Sequence, residues 1–234
     1  MNLGRNGMIK NLLASLLLAL TLSSCSSTKQ AENTPDLNST IQALGYDSLV
    51  LPSTAYGPGS LVTSVKGTGL TAPLNLTYLC RPDFTHSPPP IIDTAASAEA
   101  SRSLNSSFEL DPATLTQIGL GASASYLDTV TLKLSNVSVE QLAFDDLETV
   151  RSTLGPSCKQ IVEDFSKKSL AYQTKQAIRA DVTYSFKLKA GASAEAKGLL
   201  IKALASAFGG SIESDQGSTV TGKGLFYGLI LTKV

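Results

Sequence analysis

One segment limits the folds open to this chain more than any other: Ile178–Leu188 alternates apolar and polar residues without a break. Ile178, Ala180, Val182, Tyr184, Phe186 and Leu188 point one way; Arg179, Asp181, Thr183, Ser185 and Lys187 point the other. Successive side chains of a strand leave on opposite faces, so this period sets one face in a core and one in water. A strand wet on one side fits an antiparallel sheet, since parallel sheets are covered on both faces.

The neighbouring elements build on that strand. Thr34-Pro35-Asp36 reads as a helix start, with a capping hydroxyl, proline at the first helical position and an acid in the first turn. Leu37, Ile41 and Leu44 share a face, and Gly45 stops the helix. Strands are expected at Leu49–Leu51, Ser60–Lys66 and Leu74–Leu79, with a turn at Tyr56-Gly57-Pro58-Gly59. Arg81–Ser97, with Pro88-Pro89-Pro90, predicts a long irregular loop, partly polyproline II. Asp111-Pro112 opens a short helix through Ile118; strands Leu120–Leu134 and Val137–Leu142 join at Ser135-Asn136. Helices follow at Asp145–Leu154 and from Ser157, the second with an apolar face of Cys158, Ile161, Val162 and Phe165. After an alanine-rich helix, Ala192–Phe208, and a stop at Gly209-Gly210, two strands close the chain at Ser211–Asp215 and Ser218–Thr232. This order is neither regular βαβ nor all-β. It predicts an α+β fold, a twisted, mostly antiparallel sheet with helices packed on one face.

The amino terminus has the parts of an export signal. Arg5 and Lys10 precede any acid, and Leu12–Leu22 is an apolar stretch of 11 residues, shorter than the about 20 a spanning helix needs. Leu22-Ser23-Ser24-Cys25 then resembles the lipobox of bacterial lipoproteins. Small residues let the extended chain enter a peptidase beside the bilayer, the Cys25 thiol receives the diacylglycerol, and cleavage between Ser24 and Cys25 frees an amine for acylation. An ordinary signal peptide with a chance cysteine, or an uncleaved anchor, is the alternative. The reading divides the chain into a signal (1–24), a lipidated cysteine with a small, polar tether (25–36) and one domain (37–234). It predicts a bacterial envelope protein held to the bilayer through acylated Cys25. By resemblance to lipoprotein sorting, Ser26 in place of Asp directs it to the outer membrane.

Removing Arg5 and Lys10 from the 19 basic residues leaves 17 against 19 acidic, a net charge of −2 for residues 25–234. Phosphate contacts need clustered Lys and Arg, so nucleic acid is not an expected partner. With Cys25 spent on lipid, Cys80 and Cys158 remain, and in an exported protein two cysteines read as one disulfide. Two buried free thiols are the alternative. No metal is expected, because two sulfurs and the lone His86 fall short of the four ligands of structural zinc. No other cofactor is expected either.

Three motifs tempt a catalytic or nucleotide-binding reading. Gly217–Lys223 matches the opening of a P-loop, but Gly224 stands where magnesium binding needs a hydroxyl, and a strand pattern follows where a helix should. Gly119-Leu120-Gly121-Ala122-Ser123-Ala124 has dinucleotide-type glycine spacing without a preceding strand or a following helix. His86 sits in the proline-rich loop, and no Gly-x-Ser-x-Gly elbow presents a nucleophile to it. Asp145-Asp146 and Glu163-Asp164 are neighbours on helices, so they do not face one another. No catalytic residue is assigned.

Leu44-Gly45-Tyr46 with Pro52 and Pro58-Gly59, the strand Ile178–Leu188, a small-residue segment, a polar hairpin and Gly224-Leu225-Phe226-Tyr227-Gly228 together resemble bacterial gasdermins. The resemblance implies a similar fold and, for function, membrane damage by pore formation. It departs in compartment, since gasdermins are cytoplasmic and this chain reads as exported. The leading expectation is therefore a non-catalytic envelope module that binds a protein partner or supports an assembly. A gasdermin-like pore former is the alternative, and an envelope hydrolase ranks below both.

Overall fold

In a computed structural model, which describes residues 36–66, 72–110, 115, 121–207, 213–214 and 219–234, the alternating segment is the larger part of a 17-residue strand. The elements run α1 (Leu37–Ala43), β1 (Asp47–Ser53), β2 (Leu61–Lys66), β3 (Leu74–Cys80), β4 (Ile91–Ile92), α2 (Thr94–Ser103) and β5 (Ser107–Glu109). A 3-10 segment (Gly121–Tyr126) leads into β6 (Leu127–Gln141), α3 (Phe144–Ser152), α4 (Pro156–Lys167) and β7 (Tyr172–Leu188). α5 (Ala194–Ala207), β8 (Glu213–Ser214) and β9 (Thr219–Lys233) complete them. The fold is α+β, with a mixed, mostly antiparallel sheet. The lipobox-like run, the tether up to Pro35, the Asp111–Ile118 helix apart from Leu115, the Gly209-Gly210 stop and the Gln216-Gly217 turn lie outside the described residues.

β7 organises the sheet. It pairs antiparallel with β9 from Tyr172↔Lys233 to Ser185↔Thr219. Along its other edge Tyr172 and Gln173 pair with β2, and Gln176–Leu188 with β6. β9 continues to β1, β1 runs parallel to β3, and β3 is antiparallel to β2. β7, β9, β1, β3 and β2 therefore close into a ring at one end, while β6, β7 and β9 run on as open sheet. β4 and β5 extend that sheet at β6, and β8 at β9.

The two faces of β7 carry different cores. Ile178, Ala180, Val182, Tyr184 and Phe186 are each no more than 3% exposed and pack with Leu225 and Tyr227 of β9 and Val130, Leu132 and Leu134 of β6. α1, α2 and α5 cover this face through Ile41, Ala100 and Leu200. The opposite face is apolar only inside the ring, at Leu49, Val62, Leu74, Leu76, Ala177, Phe226 and Leu229. α4 lies on the outer side of β2 and β3, where Val162 packs with Leu61 and Cys80, and Cys158 is joined to Cys80 in a disulfide with Cα atoms 6.0 Å apart. α3 packs Leu147 and Val150 on Leu142. The expectation of helices on one sheet face thus describes α1, α2 and α5, while α3 and α4 cover the ring end.

Four local expectations are corrected. The cap of α1 is Asp36, whose carboxylate accepts from the Ser39 amide at 2.8 Å. Gly45 does end that helix: its φ of +87° needs no Cβ, and Tyr46 N–H reaches back to the Ile41 carbonyl. The Arg81–Ser97 loop ends early, because Asp93 caps α2 by accepting from the Ala96 amide at 3.0 Å. Leu120–Leu134 and Val137–Leu142 are not two strands: β6 is continuous from Leu127, and Ser135-Asn136 is a bulge, not a turn. Ile161, expected on the buried face of α4, is 42% exposed, since α4 meets the ring only along the Cys158–Val162–Phe165 stripe.

That bulge has a partner across β7. β6 slips register between Ser135 and Ser138 with Asn136 at φ +50°, and β9 slips opposite Asp181 with Gly224 at φ +65°. The Asp181 carboxylate accepts from Asn136 Nδ2 at 2.8 Å and from the Gly224 amide at 2.7 Å, so one side chain holds both irregularities. Bulges bend the strands that carry them. Asp181→Ala removes both bonds and is expected to cost about 1–3 kcal/mol in urea unfolding. A loss under about 0.5 kcal/mol, ordinary for a surface change, would show that the bulges hold without it.

Candidate binding groove

The bend opens a groove where the ring ends. β1 leaves β9 at Ser53↔Phe226, and one step along the same face of β7 the apolar Ala177 gives way to Arg179. From there the face turns from ring interior to a cleft of about 1210 Å³. Its lining is drawn from Phe226 and Gly224 of β9, Arg179 of β7, Glu140 of β6, Tyr78, the 54–60 turn and the 81–85 loop. An open concave surface at the mouth of a closed sheet, apolar with a few charged groups, is a common form of ligand site.

The walls are pinned. Gly59 N–H donates to the Thr174 carbonyl at 2.8 Å, and Thr174 N–H returns to the Ser60 carbonyl at 2.9 Å, so the turn is tied to β7 by a reciprocal pair. Behind it Gln173, fully buried, donates from Nε2 to the carbonyls of Gly59 (3.3 Å) and Leu147 (3.2 Å) and accepts from Arg151 at 2.7 Å. This amide satisfies backbone groups of two other segments, which a buried leucine would leave unpaired. Gln173→Leu is expected to cost about 2–4 kcal/mol and to loosen the turn, read as faster amide exchange at Gly59. Unchanged exchange there would contradict it. On the loop side, Asp83 accepts from the Thr85 amide at 2.9 Å, and Ser87 Oγ donates to the Asp83 carbonyl at 2.8 Å.

The charges are placed with equal care. Arg179 Nη1 donates to Glu140 Oε1 at 2.9 Å, and the guanidinium lies close over Gly224, where a Cβ would come within 2.7 Å of Nη2. Glycine at 224 suits the positive φ, and a Cβ there would displace only the movable end of Arg179. Arg81 and Lys223 also line the cleft. Hydrogen bonds from Thr85, with His86 nearby, hold the Asp83 carboxyl below its usual range, so it is ionised at neutral pH. Burial raises the Tyr78 hydroxyl, with Arg81 opposing.

The residues singled out from the sequence are placed elsewhere. His86 is exposed, with Nδ1 4.0 Å from Asp83 Oδ2, in the loop rather than in the cleft. Glu163 pairs with Lys167 at 3.0 Å on the open side of α4, while Asp145 and Asp146 sit in the first turn of α3. Thr219–Lys223 of the P-loop-like run belong to β9, and Gly121–Ala124 to the 3-10 segment, not to a strand start. Among the described residues no group of three or more His, Cys, Asp and Glu is placed to hold a metal, and no helix is long and apolar enough to cross a membrane. Sequence reasoning missed Arg179, Glu140, Arg81 and Tyr78 as a set, although the wet-face assignment of Arg179 was the signal that an unburied cation stood on the organising strand.

No protein-family model matches this chain, and no curated protein matches it. Among solved structures it is similar to a bacterial gasdermin from Bradyrhizobium tropiciagri, at 14% identity and a TM-score of 0.40, over 84% of this chain and 85% of that one.

Proposed function

We propose that this chain is a bacterial envelope lipoprotein, anchored by acylated Cys25, whose folded unit is a non-catalytic binding or assembly module working through the groove. The observation that carries the reading is Leu22-Ser23-Ser24-Cys25 directly after the apolar stretch. Residues 26–35 separate the lipid from the Asp36 cap, which at full extension keeps the domain within about 35 Å of the bilayer. A module so confined meets envelope partners without needing high affinity in solution. The Cys80–Cys158 bridge supports export, since disulfides persist in oxidising compartments. A single acyl chain holds only marginally, so the reading requires at least two on Cys25. The outer membrane is the destination proposed from Ser26.

Cys25→Ala is expected to leave the precursor uncleaved and free of lipid, because both steps act at that residue. Acyl labelling that persists in the variant would refute the assignment. Site-directed crosslinking from Tyr78 in intact cells is expected to capture an envelope protein only when that residue carries the crosslinker.

The second reading, a membrane-damaging protein, comes from the sequence resemblance and from the small residues of α5. Leu200 of α5 packs in the sheet core and Ala196 is buried, with Leu199 facing out at 56% exposure, which favours a packing role for the helix. Full-length Cys25→Ala protein is expected to leave dye-filled vesicles intact. Leakage would move the account to the membrane-damaging class.

A further inference from the structure

We propose that the groove takes a ligand with one anionic group on an apolar or aromatic body, the carboxylate or phosphate seated on Arg179 with Arg81 beside it. This names the ligand class of the binding module proposed above and rests on that reading. Three observations converge. First, Arg179 is set in place: Glu140 holds Nη1, Gly224 provides the space beneath Nη2, and Asp181 fixes the bulge that puts Gly224 there. A guanidinium is a planar fork of N–H donors, so a carboxylate on one edge leaves donors on the other for a second anion. Its side chain is 49% exposed while that of Glu140 is 17% exposed, so the cation and not the acid is presented to solvent.

Second, a further cation stands in the lining: Arg81 is exposed there beside the Arg179–Glu140 pair, while the Asp83 carboxylate accepts from the Thr85 amide. Third, Tyr78 is an aromatic of the lining that is 36% exposed, and Pro58, Pro82 and Phe84 add apolar surface, interspersed with Thr54 and Thr85. Aromatic faces at a rigid wall favour an apolar or planar body, and the guanidinium itself offers a further stacking surface. Preorganisation of this kind lowers the entropy a ligand must lose.

The test uses the full-length chain in detergent micelles with small probes: benzoate, phenyl phosphate and, as the oppositely charged control, benzylamine. Amide resonances of Gly224, Phe226 and Tyr78 are followed by NMR titration. The expected result is saturable shifts with benzoate or phenyl phosphate and none with benzylamine; which anion binds more tightly separates a carboxylate from a phosphate source. Arg179→Gln is expected to weaken that binding at least tenfold, and Arg179→Lys, which keeps the charge without the fork, by less. Arg81 is exposed, so Arg81→Gln serves if Arg179→Gln does not fold, with a several-fold loss expected. Raising the salt should weaken binding further. Failure of both anions to saturate, equal binding of benzylamine, or full affinity in Arg179→Gln (or in Arg81→Gln, if that variant has to stand in) would overturn the proposal. None of these results bears on acylation of Cys25, so the anchor and the ligand class stand or fall separately.

Discussion

Phe186→Ala is expected to lower the unfolding free energy by about 3–5 kcal/mol, as truncation of a buried aromatic does. The side chain is 3% exposed and stands between Val130 and the sheet core, so little room exists for neighbours to close the space. Ser185, one residue back, faces the half-exposed side opposite Thr131 and Thr219, and Ser185→Ala should change stability by no more than about 0.5 kcal/mol. The pair is a register test. A slip of one residue would exchange the two faces and reverse the order of the effects. Against a typical folding stability of about 5–15 kcal/mol, the first loss is visible in any denaturant titration. Equal effects, or a larger one at Ser185, would contradict the assigned faces.

The second large effect belongs to the Cys80–Cys158 bridge. It spans a sequence separation of 78 and ties β3 to α4, an element that otherwise meets the ring through Val162 and its neighbours. A loop of that length stabilises by about 4–5 kcal/mol when restriction of the unfolded chain is the main effect. Replacing both cysteines by alanine is therefore expected to lower the urea midpoint strongly, while reductant lowers it in the wild type alone. Each cysteine alone should behave like the double variant, because either change opens the loop. A wild type insensitive to reductant, with two alkylatable thiols, would show that the fold does not rely on the bridge.

The Ile178–Leu188 alternation carried the register of β7 because a two-residue period has one physical reading when one face is dry. The ring was not legible, since closure depends on β7 changing partner from β2 to β6 near Lys175, a relation between segments far apart in sequence. Ser135-Asn136 looked like a turn because both residue types favour turns; the same tolerance of positive φ serves a bulge, and only the Asp181 carboxylate across the strand distinguishes them. Asp93 before an alanine-rich run was a legible cap, overshadowed by the prolines ahead of it. The groove drew Arg81, Glu140, Arg179 and Lys223 from four separate segments, so no local motif marked it. Cys80 and Cys158 were legible as a pair because the export reading left them few alternatives.

The central claim is the anchor, and intact-mass analysis of the protein extracted from bacterial membranes tests it most directly. The account predicts a chain beginning at Cys25, heavier than residues 25–234 by a diacylglyceryl group and an amide-linked acyl chain. An unmodified amino terminus at any residue, or a chain retaining Met1–Ser24 without lipid, would contradict it.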